Sequence, residues 1–266
     1  MGHESVQHNS PYILDVTNLG IDFGGLQALD DFNVQVKDRE IVGLIGPNGA
    51  GKTTIFNLLT SVYQPSRGNI QVYGRCTKGK TPHEVSQFGI ARTFQNIRLF
   101  KDISVIDNVK IALHNGMQYS LLSAILRLPS YWKEEKAATK LALELLSVFH
   151  MQDLAEKPAG SLPYGAQRRL EIVRALATNP KVLLLDEPAA GMNPSETAEL
   201  MATIHGIRDQ FNMAIVLIEH DMSLVMGICE RILVLNYGLI IAQGTPDEIK
   251  NNPLVIEAYL GQQRGE

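Results

Sequence analysis

The chain has 266 residues, of which 45% are hydrophobic, 20% charged and 6% aromatic. That length gives one domain or two closely joined ones, with a core large enough to need no staple. Lys+Arg of 24 against Asp+Glu of 28 leaves a formal charge of -4, which argues against the basic field of a dedicated nucleic-acid binder. Cys76 and Cys229 are too far apart in sequence to suggest a disulfide framework or a metal site, and suit a reducing cytosol. No apolar run approaches the roughly 18 residues that cross a bilayer, and the polar start Met1-Gly-His-Glu-Ser lacks the apolar centre of a signal peptide.

Residues 1–11 are polar, end at Pro11, and read as a flexible tail before a single domain over 12–266. From Tyr12 to about Lys37, short β-rich runs broken at Gly24-Gly25 and Asp30-Asp31 predict antiparallel strands. Ile41 to Ile45 is a continuous apolar run of the kind buried on both faces. A Gly-rich turn and a helix over Thr53–Ser61 follow. Between about Arg98 and Ala177 the texture turns helical, with Lys133 to Met151 rich in Ala, Leu, Glu and Lys. Val182–Leu185 and Ala214–Ile218 are further buried strands, and Asn236-Tyr-Gly238 marks a hairpin. Pro246 and Pro253 open short C-terminal helices. The expected class is α/β with a mainly parallel sheet. An α/β core takes 12–97 and 178–245, a helical subdomain 98–177, and C-terminal helices 246–266.

Gly46-Pro47-Asn48-Gly49-Ala50-Gly51-Lys52-Thr53 fits the phosphate-cradling pattern G-x-x-x-x-G-K-[ST], and Thr54 extends it. Glycines let backbone N–H groups turn inward on an anion, and the next helix adds the positive end of its dipole. Lys52 brings a point charge for the β- and γ-phosphates, and the Thr53 hydroxyl can ligate Mg²⁺. The strand before and the helix after are the context this P-loop NTPase pattern requires. Leu183 to Leu185 then runs into Asp186 and Glu187 at the carboxyl end of a parallel strand, where ligands bind. Asp186 suits a direct or second-layer Mg²⁺ role, and Glu187 can polarise an attacking water.

Three more features fall in order: Gln95 in Arg92-Thr-Phe-Gln-Asn, Ser161-Leu-Pro-Tyr-Gly-Ala-Gln-Arg-Arg-Leu, and His220 in Leu217-Ile-Glu-His-Asp. Singly, Gln95 reads as a surface amide and His220 as a satisfied loop histidine. Together with the cradle they closely resemble the ATP-binding subunit of an ABC transporter, from Tyr12 onward. The resemblance implies a RecA-like P-loop core with an antiparallel β subdomain and an inserted α-helical subdomain. It implies that Gln95 senses γ-phosphate and metal, that His220 contacts the γ-phosphate, and that Pro188–Asn193 communicates between two subunits. Phe23 occupies the place of the aromatic that stacks on adenine, with ordinary core as the alternative. The signature, Leu162-Pro163-Tyr164-Gly165-Ala166, departs from Leu-Ser-Gly-Gly-Gln; Pro163 lacks the hydroxyl but is a good first helical residue. The helix dipole and the Gly165 region are expected to carry its contact with the nucleotide of a facing subunit, a weak half-site being the alternative.

The finer resemblance is to the branched-chain amino-acid importer ATPases, through Phe94–Asp102, Tyr164-Gly165, Pro188–Pro194, Ile218–Met222 and Gly244–Pro253. It implies ATP and Mg²⁺ as ligands and a cytoplasmic place against the inner membrane. The implied partners are permease subunits, a second ATPase subunit and, indirectly, a periplasmic solute-binding protein. Asn96–Ile106 is the expected groove for a permease helix, and Tyr119–Leu128 reads as subdomain core or a permease-facing surface. Urea or amide importers and a lipopolysaccharide exporter share several segments. A nucleotide-binding subunit whose paralogue does the hydrolysis is another alternative. DNA-repair and translation members of the family lack support here, because there is no heptad arm and only one cradle.

Overall fold

The computed structural model describes residues 11–113 and 129–260. The tail 1–10, the segment 114–128, which includes Tyr119–Leu128, and residues 261–266 lie outside the described residues. β1 (Tyr12–Phe23) and β2 (Leu26–Lys37) pair antiparallel. They join at Gly24-Gly25, whose φ values of 53° and 90° give the turn a twist that matches paired strands. The expected break at Asp30-Asp31 is a bulge within one continuous strand. Asp31 takes φ 45° and lies in a region of shifted register with Asn18 at φ 47°. Its Oδ1 accepts from Asn18 Nδ2 at 2.7 Å and Asn33 Nδ2 at 2.9 Å, so short polar side chains satisfy what the ladder loses there. β4 (Arg67–Val72) and β5 (Arg75–Cys76) complete a sheet of order β2-β1-β4-β5.

The second sheet comprises β3 (Ile41–Ile45), β6 (Ile90–Arg92), β7 (Val182–Asp186), β8 (Ala214–Ile218), β9 (Arg231–Asn236) and β10 (Leu239–Gly244), in the order β10-β9-β3-β8-β7-β6. Only the β9–β10 hairpin is antiparallel. All residues of β3, β7 and β8 are buried, as continuous apolar runs covered on both faces must be. β8 lies between β3 and β7, with Ile218 level with both Leu44 and Asp186. That register brings Gly46, Glu187 and His220, distant in sequence, to one edge of the sheet.

Helices α1 (Lys52–Leu59) and α2 (Pro82–Gln87) follow the cradle and the small sheet. α3 (Val105–Leu113), α4 (Pro129–Val148) and α5 (Tyr164–Leu176) make the helical arm. α6 (Pro194–Phe211), α7 (Met222–Ile228), α8 (Pro246–Lys250) and α9 (Pro253–Leu260) return to the core. One apolar cluster, centred on Phe56, Leu58 and Leu59 of α1, fills the space between the two sheets. The other packs α3 to α7 against the opposite face of the large sheet. Thr245 and Glu248 form a capping box around Pro246, so α8 starts where the proline predicted. Among the described residues no helix is long and apolar enough to cross a membrane.

Candidate functional site

The cradle is shaped by its backbone. Gly46 sits at φ 150°, and a Cβ there would lie 2.0 Å from the Leu235 carbonyl oxygen, so no other residue fits between β3 and β9. Gly51 caps α1 in the left-handed region at φ 107°, and as a glycine it offers no side-chain bond to the free N–H groups of that helix. An anion is the natural cap for such an end. Ala50 accepts from the Gly238 N–H at 2.9 Å, so the β9–β10 turn braces the loop. Lys52 is buried, with Nζ donating to the Gly46 oxygen at 2.6 Å and the Pro47 oxygen at 2.8 Å. Burial pulls its ammonium down, and the nearby Glu187 and Asp186 charges push it back up. Thr53 is exposed and Thr54 half-buried, while Asn48 and Gly49 are exposed at the tip. The Tyr259 phenol of α9 is pushed up, chiefly by burial.

Glu187 stands just past β7 in the left-handed region, at φ 51°. A non-glycine there is strained, and the Glu187 N–H bond to the Ile218 oxygen at 2.9 Å holds it. Its Oε2 accepts from Gln95 Nε2 at 3.0 Å, and its Oε1 lies 2.9 Å from His220 Nε2. The three residues singled out from separate motifs therefore meet on one carboxylate. Asp186 is buried and paired at 2.7 Å with Arg92, which also donates to Asn57 of α1 at 2.7 Å. The hydroxyl of Thr93 accepts from the Asp186 N–H at 3.2 Å. Glu219 is buried too; its carboxylate accepts from Ala189 N–H at 2.8 Å, His220 N–H at 2.9 Å and Asp221 N–H at 3.3 Å. Burial pushes its pKa up, those backbone bonds oppose the rise, and the Glu187 charge adds to it.

Among the described residues no group of three or more His, Cys, Asp or Glu could hold a metal. Thr53, Gln95 and Asp186 offer a hydroxyl, an amide and a carboxylate, a weak set by itself. It fits Mg²⁺ that arrives already bound to phosphates.

Phe23 ends β1, 42% exposed, with its ring 5.3 Å from that of Tyr63 at 73°; it is not core. In the signature, Leu162, Gly165 and Ala166 are buried, whereas Pro163 and Tyr164 are exposed. Pro163 is the N-cap of α5 rather than its first residue: φ of -54° suits a helix, but ψ of 153° is extended. Its carbonyl accepts the Gln167 N–H at 3.0 Å, the first bond of the helix, and the absent proline N–H costs nothing there. A Cβ on Gly165 would lie 3.2 Å from Glu196 Oε1, so this glycine serves the close approach of α5 to α6. Pro163 and Tyr164 are the residues this end presents outward.

Sequence reading passed over Arg92, Glu219 and a ladder on α5 of buried Arg168 and Glu171 with half-buried Arg174. The ladder had a signal, a basic-acidic-basic set at three-residue steps on one helical face. Arg92 and Glu219 had only their places beside Gln95 and His220.

A strand-loop-helix cradle, a carboxylate shared by a glutamine and a histidine, and a helical arm ending in the signature define an ATP-binding cassette. The chain belongs to the ABC transporter family, whose model matches residues 29–190. A second model, described as branched-chain amino acid ATP-binding cassette transporter, matches residues 240–264. The chain is 45% identical over 250 residues to the high-affinity branched-chain amino acid transport ATP-binding protein BraF of Pseudomonas aeruginosa, covering 94% of this chain and 98% of the relative. It is 46% identical, with the same coverage, to LivG of Escherichia coli, a protein of the same description. It is also 35% identical to the lipopolysaccharide export system ATP-binding protein LptB of Acidithiobacillus ferridurans, over 88% of this chain and 90% of that one. A crystal structure of an ABC-transporter cassette in its ADP conformation superposes with TM-score 0.82 at 30% identity, covering 95% of this chain and all (100%) of that one.

Proposed function

We propose that this chain is the ATP-hydrolysing subunit of an importer for branched-chain amino acids. The observation that carries the reading is the Glu187 carboxylate, held at the end of β7 by Gln95 and His220 and facing the Lys52–Thr53 cradle. Phosphoryl transfer to water needs positioning and charge stabilisation more than covalent chemistry. Glu187 orients the water and draws off its proton. Lys52 and the α1 N-terminus bind the phosphates, and Phe23 backed by Tyr63 stacks on the adenine. Thr53, Asp186 and Gln95 would hold Mg²⁺, which neutralises phosphate charge when bound. His220, touching Glu187, changes its contact as the γ-phosphate leaves.

Leu162 to Ala166 serve the nucleotide of a second ATPase subunit, so two subunits close on two ATP molecules. The segment Asn96–Ile106 receives a permease helix at the cytoplasmic face of the inner membrane, and a periplasmic binding protein supplies the solute to that permease. The match over residues 240–264 supports amino-acid import over the lipopolysaccharide exporter. Glu187→Gln is expected to cut phosphate release about 100-fold or more while trapping an ATP- and magnesium-dependent dimer on sizing. A variant that stays monomeric and hydrolyses at the wild-type rate would sink the mechanism.

A further inference from the structure

Arg168 lies one turn past Tyr164 on α5 and is 3% exposed. Its Nη1 donates to the Phe94 carbonyl at 2.7 Å and approaches Glu171 Oε2 at 3.4 Å. Its Nη2 donates to the Gln95 carbonyl and, at 3.0 Å, to the Tyr164 hydroxyl. Glu171 Oε1 in turn accepts the Arg98 N–H at 2.9 Å. Arg174 donates to the Arg98 carbonyl and lies 5.1 Å from the Phe100 ring centre. Three side chains of α5 therefore lace the segment 94–100 to the helix that carries the signature.

In the dimer proposed above, the two ends of this lacing would serve different nucleotides. At one end the Gln95 side chain holds Glu187, the carboxylate of the subunit's own site. At the other, Tyr164 is 47% exposed at the signature. Its ring also packs on Gly191, where a Cβ would lie 3.1 Å from Tyr164 Cε1, so it touches the loop expected to communicate between subunits. Arg168 bonds both ends with one guanidinium. A planar fork of five donors in a buried site has little slack, so a displacement of α5 moves the Gln95 backbone with it.

We propose that Arg168 is a positioning residue that couples the two ATP sites of the dimer, passing the signature's grip on the partner's nucleotide to Gln95 and so to Glu187. This rests on the dimer reading above. Gripping one ATP through Pro163 and Tyr164 shifts α5, and Gln95 then seats Glu187 for hydrolysis of the other. A lysine keeps the charge but cannot span Tyr164 and the two carbonyls together.

Steady-state hydrolysis by the full chain, measured across ATP concentration, tests the relay. The wild type is expected to give a Hill coefficient well above about 1 and at most about 2, the number of sites. Arg168→Met is expected to bring it to about 1 and to lower kcat about ten-fold or more, with the affinity of the single subunit for ADP unchanged. That substitution leaves the Glu171 carboxylate buried without its partner, so Arg168→Met/Glu171→Gln is measured beside it and is expected to show the same kinetic loss in a stable protein. Arg168→Lys is expected to restore thermal stability and leave the Hill coefficient low, which a purely structural role does not predict. A double variant that keeps the wild-type Hill coefficient and kcat, while Glu187→Gln still traps the dimer, overturns the relay alone. A wild type that hydrolyses without dimerising overturns the relay and the dimer reading together.

Discussion

In the cradle, shape comes from the main chain: Gly46, Gly49 and Gly51 all take positive φ, and α1 starts at a glycine that has no capping side chain. In the arm, shape comes from side chains. Arg168, Glu171 and Arg174 reach from α5 to carbonyls and an N–H more than seventy residues earlier in the chain. A backbone site is broken by adding one methyl group, because the surrounding main chain cannot retreat. A side-chain lacing tolerates bulk better and is broken by losing one donor. The first kind of site repeats as a short motif; the second depends on which segments the fold sets against each other.

Gly46→Ala is the harshest way to break the backbone half of this contrast. The new methyl group must occupy space 2.0 Å from the Leu235 oxygen at a φ of 150°. A loss of about 3 kcal/mol in urea unfolding and no measurable ATP binding are expected. Normal ATP affinity in that variant would show that the cradle is not set by its main chain.

Phe23→Ala probes a side chain added to the backbone cradle. Base stacking on an aromatic ring contributes about 1–3 kcal/mol, so a rise in KM for ATP of about ten-fold with kcat unchanged is expected. An equal rise in KM for ATP and for inorganic triphosphate would remove Phe23 from the adenine.

Glu219 gives the smallest and most specific readout. Its carboxyl is raised above the ordinary range, chiefly by burial. The folded state therefore holds its proton more tightly than the unfolded state does. That contribution is fully present below the ordinary carboxylate pKa and is lost as pH rises through the raised one. Glu219→Gln lacks this loss, so the variant's Tm relative to wild type is expected to improve by a few degrees between about pH 4 and about pH 7. A pH-independent Tm difference would mean that the backbone bonds from Ala189 and His220 fully offset the burial.

Much of the site was legible because its parts are local. The glycine pattern between a buried strand and a helix specifies an anion cradle wherever it occurs, and Asp186 and Glu187 announce themselves by ending an apolar run. Gln95 and His220 were found by resemblance; a lone glutamine or loop histidine carries no physical signal of its own. Arg92 stayed hidden because its role depends on β6 pairing with β7, which sets its guanidinium against the buried Asp186. Pro163 was misplaced by one residue because its fixed φ serves a cap as well as a first turn, and only ψ separates the two.

The sequence by itself determined the local chemistry: buried parallel strands from unbroken apolar runs, the phosphate loop from its glycines, and the helical arm from its Ala, Leu, Glu and Lys content. Tertiary structure decided which of these meet. The order β3-β8-β7 and the register of Ile218 with Leu44 and Asp186 put three distant motifs on one carboxylate, and the packing of α5 against segment 94–100 buried Arg168 there. Strand order and helix docking are fixed by the burial of whole faces at once, so no single stretch of sequence encodes them.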